Sequence, residues 1–399
     1  MANKPLKIAF ACADIRPEGQ QGGIAVYVSS IADGMASRGH DITILGKGAE
    51  SSEKVLPSGA KVVFLPTISH WGSHPKLLPL TDKLARSRTL ARYLYTHQDF
   101  DIVEFPVWDA EGLYGTRMGH YRSVVHGHTP HVIVNELTEA SGVKVSKIDR
   151  LIAKLEARCS RQADLYLANS KSAMETAVER FHLNPAKSGW CLLGQKMPSV
   201  RVEAPDDQVR ILFVGRLETR KGIIEFFKAI PAILKQHPSV RFEVVGIDSA
   251  GVSGKSHQEA FLASVSEEVS RQVTFHGRLG DENLLALRIQ CQIGLLPSLS
   301  ESFGYVHTEA MSYGAPVVAF DIAATREVVC NGKTGLLVPV GNVEELVNAT
   351  CKLIENPAPR KQMGEAAYHE MRANFSIDSM TDCVEHAYRK LLERESIDH

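Results

Sequence analysis

The chain has 399 residues, of which 44% are hydrophobic and 23% charged. This length predicts two or three domains with sizeable cores, and the composition excludes disordered and collagen-like chains. The 45 basic and 46 acidic residues give a formal net charge of −1, so charge offers no argument for binding nucleic acid.

Several features predict a cytoplasmic protein. No stretch approaches the roughly 18 apolar residues that a membrane-spanning helix needs. The apolar run near the N-terminus is too short for a signal peptide. The seven cysteines include no CxxC pair. They suit a reducing compartment and a role as small buried hydrophobes better than a disulfide scaffold.

Charge is divided unevenly between the two halves. Residues 1–198 contain 24 Lys and Arg against 19 Asp and Glu, whereas residues 199–399 contain 21 against 27. The basic half could favour an anionic partner or a membrane surface.

Residues 76–94 carry five basic residues, one acid and apolar positions near helical spacing. They fit either an interfacial helix, with peripheral association at the inner face of the membrane, or a core-packing helix with a solvated basic face.

Strands and helices alternate from the start of the chain. Residues 6–13 predict a strand buried on both faces, followed by a glycine-bearing loop and a helix that ends at Gly39. Further strands are predicted at 41–46, 61–66, 100–106, 123–128 and 163–170. A linker is predicted at 196–208. Beyond it, strands at 209–217, 241–246, 273–279, 293–298 and 315–321 repeat the pattern, with a helix at 222–236 and a helical tail from 342. This order predicts two doubly wound α/β domains, whose ligands bind at the carboxyl edges of the sheets.

The sharpest chemical signal is PSLSESFGYVHTEAMSYGAPVVAFD at 297–321, which places Glu301 and Glu309 eight positions apart. A strand is expected to end at Pro297, and a helix to begin after Gly304. The free N–H groups and dipole of such a helix start favour a phosphate. Glu309 could accept hydrogen bonds from a vicinal diol such as ribose. The alternative is that both acids merely complement the helix dipole.

Two further motifs are weaker alone. VGRLETRKG at 214–222 places Arg216 and Lys221 at a strand–helix junction. A guanidinium fork and an ammonium suit a diphosphate, although ordinary surface cations would look the same. The pair Gly22-Gly23 precedes the first helix but does not match the GxGxxG pattern.

Together the motifs resemble those of the retaining glycosyltransferases of family 4, the group 1 glycosyltransferases. The Glu-x7-Glu pair, the GR…KG element, the glycine loop and NGKTGLLVPVGNVEEL at 331–346 occur in the family's order. The resemblance implies the GT-B fold, with two Rossmann-like domains facing a central cleft. Residues 1–198 would form the acceptor-side domain and residues 199–375 the nucleotide-sugar domain. A C-terminal helix at 376–399 would cross back to the first domain.

The resemblance also implies roles for single residues. Arg216 and Lys221 would hold the donor diphosphate, and Glu309 the ribose hydroxyls. Glu301 would lie beside the donor sugar as a catalytic residue. Gly22-Gly23 would close over the phosphates. The other donor-binding residues expected are Phe303, Gly304, Tyr305, Val306 and Leu279.

Three histidines lie within residues 123–131. His126 and His128 share one face of the predicted strand, which could suggest a metal pair, but no third ligand has suitable spacing and no metal is expected. By the resemblance, His128 would be catalytic and could hydrogen-bond a sugar hydroxyl or the acceptor. His126 and His131 are predicted to be structural histidines with satisfied hydrogen bonds.

The function that the resemblance implies is sugar transfer from a UDP-, GDP- or ADP-sugar to an acceptor hydroxyl with retained anomeric configuration. The product would be a polysaccharide, a glycolipid or a small glycoside, and no cofactor is expected. The family chemistry is front-face attack assisted by the leaving phosphate. Two alternatives stay open, a nucleotide-sugar epimerase or phosphorylase of similar fold and a non-catalytic nucleotide-sugar binder. The loop at 247–259 departs from the family pattern and leaves the base undecided.

Overall fold

A computed structural model describes residues 4–17, 19–20, 22–67, 78–140, 142–198, 201, 204–205, 208–248 and 256–393. The chain divides into two compact units. The first unit is Met1–Lys196 with Ile377–His399, and the second is Met197–Ser376. Each unit is built on a sheet of mainly parallel strands with helices packed against it, the fold class that the sequence predicts.

The strands of the first unit are β1 Lys7–Ala11, β2 Ile15–Arg16, β3 Gly19–Gln20, β4 Asp41–Gly48, β5 Ser52–Val55, β6 Lys61–Pro66, β7 Ile102–Pro106, β8 Arg122–Gly127, β9 Leu165–Ala168 and β10 Ser188–Trp190. Eight of them form one sheet in the order β10-β9-β8-β7-β1-β4-β6-β5, and β2 pairs with β3. Only the edge strand β5 runs antiparallel to its neighbour in the large sheet. The apolar strands were predicted, whereas β5 and β10 were missed because exposed edge strands carry no continuous apolar run.

The helices that follow these strands are α1 Gly22–Ser37, α2 Leu78–Thr96, α3 His131–Ala140, α4 Lys147–Gln162 and α5 Lys171–Phe181, with short 3-10 turns at Trp108–Ala110, Gly115–Arg117 and Pro185–Lys187. The predicted end of α1 is confirmed. Gly39 has a φ of 86°. Its N–H donates to Ala36, and the N–H of His40 donates to Met35, which forms a Schellman motif.

Helix α2 is the described part of the basic stretch at 76–94, and Lys76 lies outside the described residues. Leu90 and Leu94 are wholly buried in the core. Arg86 is also buried, and it donates to two backbone carbonyls of β4 and to the Glu111 carboxylate. The described helix therefore packs against the core. Of the helices within the described residues, none combines the length and apolarity needed to cross a membrane.

The second unit has six parallel strands, β11 Arg210–Val214, β12 Arg241–Val245, β13 Val273–Gly277, β14 Ile293–Leu295, β15 Val317–Phe320 and β16 Gly335–Val338, in the order β13-β12-β11-β14-β15-β16. Its helices are α6 Ile223–Gln236, α7 His257–Ser264, α8 Glu267–Ser270, α9 Asp281–Gln290, α10 Tyr305–Ser312, α11 Ala323–Val328, α12 Val343–Glu355 and α13 Pro357–Asn374, with a 3-10 turn at Thr219–Lys221. Helices α6 and α12 bury Phe226, Ile230 and Leu346 in one core with the central strands. Of the predicted linker at 196–208 and the loop at 247–259, residues 199–200, 202–203, 206–207 and 249–255 lie outside the described residues.

The last helix, α14 at Ile377–Glu393, belongs to the first unit. Its face toward that unit includes Tyr388, which is wholly buried. At the rim, Glu385 pairs with Arg38 of the segment after α1 at 3.1 Å. The chain therefore leaves the first unit near residue 196 and returns to it at residue 377.

The cysteines follow the prediction only in part. Cys12, Cys159, Cys291 and Cys351 are buried and free, and Cys330 is free but exposed. For Cys191 and Cys383 the prediction is wrong, because these two form a disulfide. They stand 192 positions apart, and only the return of α14 to the first unit brings them together.

We expect reduction of this disulfide to lower the melting temperature of the protein. A bond between positions so distant in the sequence restricts the unfolded chain strongly, and such bonds contribute about 2 to 4 kcal/mol. Thermal melts with and without reductant measure the effect, and a Cys191→Ser/Cys383→Ser variant provides the control because reductant should not shift it. Seven titratable thiols in the denatured, unreduced protein would contradict the pairing.

Candidate functional site

The Glu-x7-Glu segment forms a loop and a helix beyond the carboxyl end of β14. The chain leaves β14 at Leu295, and α10 begins at Tyr305. Between them, Gly304 has a φ of 90°, and a Cβ there would lie 2.6 Å from Nδ1 of His307, so the turn requires glycine. The first N–H groups of α10, at Tyr305 and Val306, have no acceptor within the helix. They are available to an anion.

Glu301 lies in the loop before α10 and is surrounded by donors. Its side chain is 6% exposed and pairs directly with the Lys221 ammonium. It also accepts a hydrogen bond from Ser298 Oγ at 2.8 Å and lies 3.6 Å from the Arg220 guanidinium. Burial alone would raise the pKa of Glu301, but the charge and hydrogen bond of Lys221, with Arg220, outweigh burial and hold it below its ordinary value. Glu301 is therefore a charged carboxylate at neutral pH.

The junction between β11 and α6 supplies three cations. Arg216 is the most open, with 62% of its side chain exposed, and it lies 3.2 Å from Glu218. Arg220 pairs with the same carboxylate at 2.9 Å, and Lys221 pairs with Glu301. Three positive groups thus share two carboxylates, which leaves a net positive charge beside the start of α10.

A glycine brings this junction against the loop that carries Glu301. Gly222 has a φ of 70°, and a Cβ there would lie 1.8 Å from the carbonyl oxygen of Pro297. Only glycine allows so close an approach of the two backbones. The contact explains how Lys221 reaches Glu301 across 80 positions of sequence.

Glu309, on α10, has a different partner. Its carboxylate accepts a hydrogen bond from the Arg288 guanidinium of α9 at 2.5 Å, and 31% of its side chain remains exposed. Burial raises the pKa of Glu309, and the charge of Arg288 opposes this only in part. The carboxylate keeps acceptor capacity for a ligand, because Arg288 uses one of its two oxygens.

Two other residues predicted for donor binding are largely packed. The Phe303 ring is buried against Tyr305 and Phe375, with ring centroids 5.4 and 6.1 Å from its own, so the ring is not available to a ligand. Leu279 follows β13 and packs, half-buried, on an apolar cluster that includes Leu287. Its remaining surface can offer an apolar contact.

The other predicted site residues lie in the first unit. Gly22 and Gly23 open α1 and are exposed, with a φ of 80° at Gly22. His128 follows β8 and is buried, with its ring 4.9 Å from that of His126 and 5.3 Å from that of Tyr27. Burial, and then the neighbouring His126, holds the pKa of His128 well below its usual value. His128 is therefore a neutral imidazole that can both donate and accept a hydrogen bond.

The two histidines predicted to be structural differ from each other. His131 is satisfied as predicted, since its Nδ1 and its backbone N–H both contact the buried Glu156 carboxylate, at 2.6 and 2.8 Å. For His126 the prediction is wrong, because neither ring nitrogen has a hydrogen-bond partner among the described residues. Oε1 of Glu104 lies 3.3 Å from its Nδ1, and the other oxygen of that carboxylate accepts a hydrogen bond from Tyr388. Within the described ranges, no three His, Cys, Asp or Glu residues are grouped so that they could hold a metal ion.

Family models match both halves of the chain. The model described as glycosyl transferases group 1 matches residues 199–370, and the one described as Glycosyltransferase Family 4 matches residues 21–188. The chain belongs to the group 1, family 4 glycosyltransferases. Its two parallel-sheet units are those of the GT-B fold.

Relatives of this glycosyltransferase cover nearly its whole length. It is 24% identical to glycogen synthase from Mycobacterium tuberculosis, over 92% of this chain and 91% of that protein. It is 25% identical to D-inositol 3-phosphate glycosyltransferase from Corynebacterium diphtheriae, over 93% and 90%. Sucrose-phosphate synthase from Thermosynechococcus elongatus matches with a TM-score of 0.77 and 18% identity, covering 98% of this chain and 100% of that one. HepE from Anabaena, solved with UDP and glucose, matches with a TM-score of 0.68 and 20% identity, covering 96% and 100%.

Two cations of this glycosyltransferase, Arg220 and Arg288, lie near the predicted acids and were not predicted from its sequence. Arg220 lies inside the VGRLETRKG motif and could have been counted as a third cation there. Arg288 belongs to no motif, and its pairing with Glu309 exists only in the folded chain. Arg220 lies beside the Glu301 carboxylate, and Arg288 pairs with the Glu309 carboxylate.

Proposed function

We propose that this glycosyltransferase moves a sugar from a nucleoside-diphosphate sugar to an acceptor hydroxyl with retained anomeric configuration. The grouping of Arg216, Arg220 and Lys221 beside the start of α10 carries the proposal. A pyrophosphate has the charge and the acceptor oxygens that three cations and free helix N–H groups can meet. The net positive charge that remains after pairing with Glu218 and Glu301 supports this ligand.

The second unit would also bind the nucleoside. Glu309 accepts the ribose hydroxyls with the oxygen that Arg288 leaves open, and Leu279 offers an apolar contact to the base. The UDP held by HepE, of the same fold, supports a nucleoside diphosphate as the ligand class. The domain roles follow, with the donor on residues 199–375 and the acceptor on residues 1–198.

The chemical step breaks the bond between the anomeric carbon and the phosphate oxygen and forms a bond to the acceptor oxygen on the same face. The acceptor's proton passes to the leaving diphosphate. Lys221 and the arginines stabilise the negative charge that develops there. Glu301 is a weak base and a poor nucleophile, because Lys221 and Ser298 both donate to its Oε1, the Arg220 guanidinium lies 3.6 Å from its Oε2, and its pKa is lowered. This supports front-face attack, with Glu301 holding the sugar and Lys221 in place, over a covalent intermediate.

Two predictions for the first unit enter the proposal. His128 hydrogen-bonds a hydroxyl of the sugar or the acceptor, which its neutral imidazole allows. Gly22-Gly23 contacts the phosphates. No metal or other cofactor takes part, since the cations of the second unit supply the positive charge that a leaving diphosphate needs.

Donor binding tests the proposal first. UDP-, GDP- and ADP-sugars are screened by thermal melt, because a donor that binds the folded state raises the melting temperature by mass action. We expect one base to stabilise the protein clearly more than the others. If no nucleoside-diphosphate sugar shifts the melt, the proposed donor class is wrong.

Turnover of that donor then separates the alternatives. We expect slow release of nucleoside diphosphate with water as acceptor, fast release with a sugar or polyol acceptor, and a product whose anomeric proton shows the donor's configuration by NMR. Excess chelator should leave the rate unchanged. A donor isomerised without any acceptor would instead identify an epimerase, and an unreacted donor a non-catalytic binder.

A further inference from the structure

The first unit contains a row of buried polar side chains that the proposed chemistry does not use. Glu104 on β7 and His126 on β8 lie on the same face of the sheet, because His126 pairs in register with Pro106, two positions beyond Glu104. Both side chains are almost wholly buried, and Nδ1 of His126 lies 3.3 Å from Oε1 of Glu104. The row leads from the sheet interior toward its carboxyl edge, where His128 lies.

The C-terminal helix supplies the inner end of this row. Tyr388 of α14, wholly buried, donates its hydroxyl to Oε2 of Glu104 at 2.5 Å. Burial, together with the charge of Glu104, raises the pKa of Tyr388 well above its ordinary value, so the hydroxyl stays protonated. With Oε2 engaged in this way, Oε1 is the oxygen that faces His126.

His126 depends on these contacts for its orientation. Neither ring nitrogen has a hydrogen bond among the described residues, so the orientation of the ring depends on the Glu104 carboxylate, 3.3 Å from Nδ1, and on aromatic packing. The Tyr27 ring lies 4.2 Å away by centroid. The His128 ring stacks on His126 at 4.9 Å with only 16° between the planes. A rotation of His126 would therefore displace His128.

We propose that Tyr388 is a positioning residue for His128, acting through Glu104 and His126. By fixing the Glu104 carboxylate, Tyr388 keeps the proton of His126 on Nδ1 and holds the two stacked imidazoles in one orientation. This rests on the proposed role of His128 at the sugar or acceptor. It also makes α14 a part of the reaction machinery, in addition to its packing role, since the row ends on that helix.

The test is Tyr388→Phe, which keeps the ring and removes the hydroxyl. We expect the rate of nucleoside diphosphate release from the donor, with water as acceptor, to fall roughly tenfold, because catalytic groups lose much rate when slightly misplaced. The KM for the donor should stay within about twofold, since the three cations and the Glu309 carboxylate proposed to hold the nucleoside diphosphate lie in the other unit. In the ligand-free protein, nitrogen NMR of labelled histidines should show His126 shifting from a single Nδ1–H tautomer to a mixture, with its signals assigned by a His126→Gln variant.

Tyr121→Phe is the matched control. It removes another buried tyrosine hydroxyl of the same unit, which donates to the Gly115 carbonyl at 2.7 Å, and should change neither readout. Glu104→Gln is the second variant if Tyr388→Phe melts far below the wild type, and its amide should favour the opposite His126 tautomer. Unchanged His126 signals in a folded variant of either kind overturn the proposal. If the His126 signals shift but the rate is unchanged, Tyr388 does position the histidines. The role proposed for His128 at the sugar or acceptor is then wrong.

Discussion

Lys221→Ala is expected to lower kcat/KM for the donor by roughly two to four powers of ten. This corresponds to a loss of about 3 to 5 kcal/mol of transition-state stabilisation. Two effects combine. The variant loses the ammonium that would meet the diphosphate, and it leaves Glu301, with a side chain only 6% exposed, without its closest cation. A buried carboxylate that has lost its closest cation repels an incoming phosphate and destabilises the fold. Release of nucleoside diphosphate at varied donor concentration measures the first effect, and thermal melts measure the second.

A double variant separates these two effects. Lys221→Ala/Glu301→Gln removes the stranded charge, so its melting temperature should return toward that of the wild type while its activity stays low. Lys228→Ala removes an exposed lysine of α6 and serves as the control, with no expected change in either measurement. Wild-type kcat/KM in Lys221→Ala would remove the assignment of Lys221 to the diphosphate.

The other large effect is expected at Glu309. Glu309→Gln should weaken binding of the nucleoside diphosphate by about 2 to 3 kcal/mol, because hydrogen bonds to a charged acceptor are worth more than those to an amide. The loss should appear in Kd measured by calorimetry, with little change in the melting temperature of the free protein. Glu282→Gln, an exposed acid on the same helix as Arg288, is the matched control. Equal affinity of Glu309→Gln and the wild type would show that the ribose binds elsewhere.

The same variant isolates the pH dependence of binding. Burial raises the pKa of Glu309, so this carboxylate takes up its proton at a pH above the ordinary value of 4.5. Wild-type affinity should therefore fall across the mildly acidic range more steeply than that of Glu309→Gln. Parallel pH profiles in the two proteins would contradict this role for Glu309.

Glu309 and Glu301 should change the pH dependence of folding stability in opposite directions. The folded state binds the Glu309 proton more tightly than the unfolded chain does, so the contribution of Glu309 to stability falls as pH rises through its raised pKa. The lowered pKa of Glu301 has the reverse effect. Its contribution is present above the unfolded pKa and is lost only as pH falls through the folded value, below 4.5.

Local sequence determined much of the fold and part of the candidate site. Apolar runs without polar alternation predicted the buried parallel strands, since a strand covered on both faces has no polar side. Glycines in the left-handed conformation, which other residues adopt far less readily, predicted the end of α1 and the start of α10, at Gly39 and Gly304. The spacing of Glu301 and Glu309 and the cations of VGRLETRKG are local features of the sequence, and they indicated the family to which the chain belongs.

Tertiary structure alone decided which of these groups pair. Glu309 meets Arg288, and Cys191 meets Cys383, through packing between elements that no short motif connects. Tyr388 and Glu104 lie 284 positions apart, yet they share a buried hydrogen bond because the last helix returns to the first unit. Backbone preference and apolar periodicity depend on a few neighbouring residues, so they can be read directly from the sequence. The partner of a buried charge depends on how whole helices and strands pack against one another, so it is known only from the folded chain.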